Sequence, residues 1–116
     1  MKILVSGATG FLGRGLVPLL RKKHEVYTLS TSFSSDPKHF RIDLRKPFKI
    51  SLRFDVVIHL AAKVHYTWLP WFHNFKKLKE VNVEGTKNLI NACETDYFIY
   101  VSTLSVYNLK DRENIE

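Results

Sequence analysis

The chain has 116 residues, of which 45% are hydrophobic and 25% charged, enough for one domain with a core of its own and too few for two. That balance excludes a disordered or fibrous chain, a single cysteine (Cys93) excludes an internal disulfide framework and suits a reducing compartment, and no apolar run reaches the roughly 18 residues of a transmembrane helix. The net charge of +7 comes from 18 Lys and Arg against 11 Asp and Glu. The cations are scattered as Arg21-Lys22-Lys23, Arg45-Lys46 and Lys76-Lys77-Lys79, a pattern of solvated helix ends and loops more than of a nucleic-acid footprint.

The first element expected is a strand over Lys2 to Ser6, whose apolar run Ile3-Leu4-Val5 stops at Gly7. That run is too short for a secretion signal, so a cytoplasmic location is the expectation. From Phe11 to Lys23, Leu12, Leu16, Leu19 and Leu20 recur at helical spacing and basic residues close the segment; Pro18 interrupts the pattern. Glu25 to Leu29 predicts a second strand, Ser30 to Lys38 a loop, and Phe40-Arg41-Ile42 a short third strand ending at Asp43. Leu44 to Arg53 has no clear period and reads mostly as loop. Asp55 to Leu60 is a fourth strand. A long helix is expected from about Phe72 to Glu94, with Leu78, Val81, Leu89, Ile90 and Cys93 inward, and a fifth strand over Tyr97 to Ser102. The tail from Asn108 is polar. Fully apolar strands alternating with helices imply an α/β fold, a doubly wound parallel sheet in the order 3-2-1-4-5, with one domain over residues 1–116.

The strongest chemical signal is Gly7-Ala8-Thr9-Gly10-Phe11-Leu12-Gly13, between an expected strand and an expected helix. A dinucleotide site needs this context: Gly7 for the tight turn, Gly10 so that backbone can approach a pyrophosphate, Gly13 for close helix–strand packing. The helix N-terminus then offers free N–H groups and a positive dipole end. His24, His39, His65 and His73 have no metal-ligand spacing, no metal site is expected, and His59 reads as a satisfied core or strand-end histidine. The aromatic stretch Tyr66 to Phe72 suits packing or partial substrate contact; stacking beside Lys76, Lys77 and Lys79 is the best case for nucleic acid, a weaker one.

The spacing G-x-x-G-x-x-G resembles the fingerprint of the extended short-chain dehydrogenase/reductase family, which includes the nucleotide-sugar epimerases and dehydratases. Four later segments resemble the same family in the same order: Ile42-Asp43-Leu44, Asp55 to Ala62, Asn82 to Leu89, and Val101 to Tyr107. The resemblance implies an NAD or NADP cofactor. It places Gly7, Thr9, Gly10 and Gly13 in the phosphate loop, and the N–H groups of Phe11 and Leu12 on the pyrophosphate. Ser30 and Thr31 would stand at the adenosine ribose, where NAD-specific members carry an acid, and Arg14 could add positive charge near a 2′-phosphate. Asp43, followed by Leu44, would receive the adenine amine; Leu60, Ala61 and Ala62 would lie along the cofactor; Asn82 would help to fix the site; and Thr103 would be the catalytic hydroxyl, with Ser102 a structural neighbour. The implied partners are the dinucleotide and a nucleotide-sugar-like substrate, with a homodimer as the implied assembly of a full-length protein, and no membrane.

The family's base, a Tyr with a Lys four residues later, has no match. Tyr27, Tyr66, Tyr97, Tyr100 and Tyr107 are followed at that distance by Thr31, Pro70, Val101, Leu104 and Asp111. Such a pair lowers the tyrosine pKa for proton transfer. The expectation is therefore the N-terminal portion of a longer epimerase, dehydratase or reductase, inactive alone. An unprotected fifth-strand edge points the same way. The alternative is a short, non-catalytic dinucleotide-binding module with a regulatory or redox-sensing role.

Overall fold

The structure, a computed structural model, describes residues 1–60 and 79–101. Strand β1 covers Lys2–Ser6, helix α1 Phe11–Arg21, β2 Glu25–Ser30, β3 His39–Arg41 and β4 Arg53–His59. A wide helical turn over Lys79–Glu84 runs directly into helix α2, Gly85–Ala92, and β5 covers Glu94–Tyr100. The five strands form one parallel sheet in the order β3-β2-β1-β4-β5, as the sequence implies.

β1 is central. Ile3 stands opposite Val26 and Val56, and Leu4 opposite Tyr27 and Val57. Side chains alternate across a strand, so these neighbours build two cores. Ile3, Val5 and Val26 pack with Val17 of α1 on one face. Leu4, Leu29, Phe54 and Val57 pack with Leu89 of α2 on the other, joined by Leu44 and Ile50. Leu4, Phe54, Val57 and Leu89 are all 0% exposed. Each buried side chain of that kind stabilises the fold by about 1.5–3 kcal/mol, which is why β1 and β4 are apolar on both faces.

Several boundaries differ from the sequence reading, for physical reasons. α1 ends at Arg21, and the N–H groups of Lys22 and Lys23 bend back to the Leu19 and Leu20 carbonyls in a tightened last turn. Its buried residues are Gly13 and Val17, with Leu16 and Leu20 half-buried; Leu12 and Leu19 face outward, because the packing stripe starts at Gly13. Pro18 lies on the exposed face, where the hydrogen bond it removes can be replaced by water. β3 is His39–Arg41 and β4 reaches back to Arg53. β5 starts at Glu94, immediately after α2, and its polar start pairs with the start of β4: Arg53 holds both Asp96 and Glu94. On α2 the buried stripe is Gly85, Leu89 and Ala92. Cys93 is half-buried and Ile90, off that stripe, is exposed. The expected inward positions Leu78 and Val81 lie outside the described side chains. The segment from Leu44 to Arg53 is a connection that buries Leu44 and Ile50 and packs Phe48 and Leu52 against the same core. Among the described residues no helix is long and apolar enough to cross a membrane.

Candidate functional site

In the order β3-β2-β1-β4-β5 the chain moves outward from β1 in both directions, so a crevice opens beyond the carboxyl ends of β1 and β4. The glycine turn lies there. Gly7 follows β1 with φ 70°, the positive-φ region that costs a glycine nothing and other residues a great deal. Its N–H donates to the Leu29 carbonyl at 3.0 Å, tying the turn to the end of β2, and Gly10 N–H closes the turn on the Gly7 carbonyl at 3.1 Å.

Gly13 needs its lack of a side chain for packing: a Cβ there would lie 2.4 Å from the Gly7 oxygen and 2.6 Å from Ala8 Cα. Gly10 is different. Its backbone (φ −76°, ψ 178°) suits any residue, and a Cβ would meet only the Gly7 oxygen at 3.4 Å. The protein's own packing leaves that space open above the turn, where a ligand backbone of phosphates would pass. The first hydrogen bond of α1 is Arg14 N–H to the Gly10 carbonyl at 2.9 Å, so the N–H groups of Phe11, Leu12 and Gly13 have no partner within the helix. No acidic residue stands in that first turn, and Thr9, Gly10, Phe11 and Leu12 are exposed. Positive dipole, free donors and an open approach suit an anion.

β2 ends beside this turn without a carboxylate. Ser30 is buried, its Oγ accepts from Ser32 N–H at 3.2 Å, and His39 Nε2 is 3.3 Å from it. Thr31 is exposed and its carbonyl receives Arg41 Nε at 3.1 Å. The first acid in the loop, Asp36, is held by Arg21 at 2.7 Å. Ile42 N–H donates to the Ser30 carbonyl at 2.9 Å, which brings Asp43 to the same end of the sheet. Arg45 grips the Asp43 carboxylate through its backbone N–H and its guanidinium at 2.8–3.2 Å, which holds that carboxyl down to about 2. Leu44 turns its side chain into the core and its carbonyl accepts Asn88 Nδ2 at 2.7 Å.

On the other side of the turn, Leu60 N–H reaches both the Ser6 carbonyl and Ser6 Oγ at 3.1 Å, fixing the exit of β4 against the end of β1. His59, 1% exposed, has Nδ1 2.6 Å from Ser6 Oγ and Nε2 2.8 Å from Thr86 Oγ1. Thr86 Oγ1 donates to the Asn82 carbonyl at 2.7 Å. Asn82 is half-buried on the wide turn. His59 is thus the satisfied histidine its sequence context suggests, and burial pushes its imidazole down to about 4.

The structure therefore gathers Gly7, Thr9, Gly10, Phe11, Leu12, Gly13, Ser30, Thr31, Asp43, Leu60 and Asn82 at one end of the sheet. Ala61, Ala62 and Thr103 lie outside the described residues. Ser6, His59, Thr86 and Asn88 were not singled out by sequence as parts of the site; Thr86, four residues after Asn82 on a helical pattern, was the available signal. No group of His, Cys, Asp and Glu among the described residues could hold a metal.

Known proteins share this fold. An uncharacterized UDP-glucose epimerase of Bacillus subtilis is 29% identical over 134 residues, covering 95% of this chain and 42% of that protein. The crystal structure of a UDP-glucuronic acid 4-epimerase from Bacillus cereus in complex with NAD superposes with a TM-score of 0.68 at 27% identity, covering 93% of this chain and 41% of that one. A human epimerase family protein crystallised with NADPH gives 0.62 at 25% identity, with 93% and 38% covered. This chain spans less than half the length of these relatives. The family model for the NAD dependent epimerase/dehydratase family matches residues 3–116, from the first core strand through the glycine turn and beyond β5. With that match over nearly every residue, the chain belongs to the NAD dependent epimerase/dehydratase family.

Proposed function

We propose that this chain is the dinucleotide-binding part of an NAD(P)-dependent epimerase, dehydratase or reductase acting on a nucleotide sugar or a related alcohol. The observation that carries the reading is the turn from Gly7 to Gly13: positive φ at Gly7, an open approach over Gly10 and unpartnered helix N–H groups at the sheet's switch point. Relatives that act on nucleotide sugars support the substrate class.

The nicotinamide, when bound, supplies the acceptor and donor of hydride. Every other role falls to the chain. The N–H groups of Phe11 and Leu12 bind the pyrophosphate, and Gly10 leaves it room. Ser30 and Thr31 would meet the adenosine ribose at the end of β2, and Asp43, its carboxylate held by Arg45, would receive the adenine amine. By the resemblance Leu60, Ala61 and Ala62 would lie along the cofactor; of these Leu60 is held by Ser6. Thr103 would hydrogen-bond the substrate oxygen whose carbon exchanges hydride.

The second reading is a non-catalytic dinucleotide-binding module, a protein in which no tyrosine is followed four residues later by lysine. General acid–base catalysis contributes about 10²–10⁴-fold, so a protein without that group turns over slowly or not at all. Titration of the protein with NAD(H) and NADP(H), beside Gly10→Val, tests cofactor binding; equal affinity in both proteins refutes the site. Turnover of nucleotide sugars by the natural-length protein, lost in Thr103→Ala, supports the enzyme. Binding without turnover supports the module.

A further inference from the structure

The proton positions along the buried contacts at the end of β4 follow from what each atom can do. The Asn82 carbonyl can only accept, so the Thr86 hydroxyl spends its one proton on it at 2.7 Å. Thr86 Oγ1 must then accept at its 2.8 Å contact with His59, which puts a proton on Nε2. The ring is 1% exposed, and among the described residues the aromatic rings beside it are Phe98 and Tyr100, centred 6.0 and 5.4 Å away. None of these groups is a carboxylate that would favour a second ring proton, and burial disfavours the cation. Nδ1 is therefore bare and accepts the Ser6 hydroxyl at 2.6 Å, while Ser6 Oγ accepts Leu60 N–H at 3.1 Å. Each donor points the same way, from Leu60 through Ser6, His59 and Thr86 to Asn82.

We propose that His59, fixed as its Nε2–H tautomer, and Thr86 are positioning residues that lock the Asn82 turn to the cofactor-facing ends of β1 and β4. The hydrogen-bonded series joins three elements: β1 ends at Ser6, β4 at His59, and α2 begins at Gly85. It also explains the wide turn. A hydroxyl proton spent on the carbonyl four residues earlier competes with the helical ladder and loosens it. Here that carbonyl belongs to the turn itself, so the irregular backbone around Asn82 is held in place by His59 instead of by a regular helix. A directional series of hydrogen bonds in a dry site is cooperative, so cutting one link is felt at both ends.

The inference rests on the dinucleotide reading above, and the experiment separates the two. In the natural-length protein, Thr86→Val keeps the shape and removes the hydroxyl, whereas Thr86→Ser keeps the hydroxyl. Dinucleotide titration is expected to show about tenfold weaker binding for Thr86→Val, equivalent to about 1.4 kcal/mol, and near-native binding for Thr86→Ser. Nitrogen-15 NMR of the imidazole is expected to show Nε2 protonated and Nδ1 bare in the wild type and in Thr86→Ser, with that preference lost in Thr86→Val. Unaltered binding in folded Thr86→Val overturns the positioning role. A wild-type ring protonated on Nδ1 overturns the proton order whether or not dinucleotide binds. Absence of dinucleotide binding in wild type, Thr86→Ser and Thr86→Val alike overturns the functional reading and with it the positioning role toward a cofactor.

Discussion

Gly10 and Gly13 lie in the same turn, yet the structure assigns them opposite roles, and alanine at each position separates them. At Gly13 an added Cβ would stand 2.4 Å from the Gly7 oxygen, 2.6 Å from Ala8 Cα and 2.7 Å from Ala8 C. All three are backbone atoms. The turn cannot slide away freely, because Gly7 N–H is tied to Leu29 at 3.0 Å and Gly10 N–H to Gly7 at 3.1 Å. Overpacking usually costs about 1–3 kcal/mol, and a clash with anchored backbone belongs at the upper end or beyond. Gly13→Ala is therefore expected to lose about 3 kcal/mol, which lowers the melting temperature of a domain this size by roughly 10 °C. At Gly10 the balance nearly cancels. Alanine is a poorer N-cap than glycine by a fraction of a kcal/mol, but it restricts the unfolded chain by about 0.4–1 kcal/mol in a conformation it can adopt. Gly10→Ala should melt within a few degrees of wild type, and Gly10→Val, folded, should fail to bind dinucleotide. The assay is thermal denaturation followed by circular dichroism, with nucleotide titration of each folded variant. A Gly13→Ala protein as stable as wild type refutes the packing argument, and a Gly10→Val protein with native affinity refutes the cradle.

Burial depresses the His59 imidazole from 6.5 to about 4, so the unfolded chain takes up the proton first as pH falls. Its contribution is complete above pH ~6.5 and lost progressively down to about 4, to a limit of roughly 3 kcal/mol. Urea melts at pH 7 and 4.5 should show that loss in wild type and a smaller one in His59→Gln; identical losses refute it. Asn88→Ala removes the 2.7 Å bond to the Leu44 carbonyl and should cost about 1–3 kcal/mol in a urea melt, since that part-buried acceptor is left without its partner. No carboxylate at the end of β2 repels a 2′-phosphate, so NADP should be accepted, with an affinity that falls in Arg14→Ala; a strong NAD preference unchanged in Arg14→Ala refutes this.

The strand order and the glycine turn were legible because both rest on short-range chemistry. Apolar runs such as Ile3-Leu4-Val5 and Val56-Val57-Ile58 can only be strands buried on both faces, and the glycine spacing marks its own turn. What stayed hidden depends on distant partners. β5 begins with Glu94, which the sequence assigns to the end of the preceding helix, and with Thr95 and Asp96, which carry no strand signal until Arg53 of β4 is seen beside Glu94 and Asp96. Leu19 and Ile90 fit a helical period yet face outward, because the stripe that meets the sheet is set by small residues, Gly13 on α1 and Gly85 and Ala92 on α2. The connection from Leu44 to Arg53 lacks a period since its apolar residues fill gaps in a core formed by others. The resemblance assigns Asp43 to the adenine amine without its Arg45 clamp, a local feature that the spacing of two residues could have suggested.

The same distinction governs the site. Among the described residues the buried polar side chains are Ser6, Thr28, Ser30 and His59, and all lie toward the carboxyl ends of β1, β2 and β4. Burying such groups costs energy unless each finds a partner, and each does. His59 joins Ser6 to Thr86, and His39 joins Thr28, at 2.7 Å, to Ser30 and to the Ser32 carbonyl, at 2.9 Å. Two histidines thus act as two-armed bridges, one on each side of the glycine turn. An imidazole suits that task because it presents a donor and an acceptor on opposite sides of a rigid ring. The middle of the sheet is apolar and sets the fold; at the opposite end the polar residues Lys2, Glu25, Arg53 and Glu94 are half-buried or exposed, whereas at this end the polar side chains are buried and paired. A parallel sheet packed only for stability would gain by carrying its apolar residues to the ends of its strands. That this one instead places bridged polar groups around an open glycine turn is the arrangement expected where a preorganised polar ligand site is built on rigid strands.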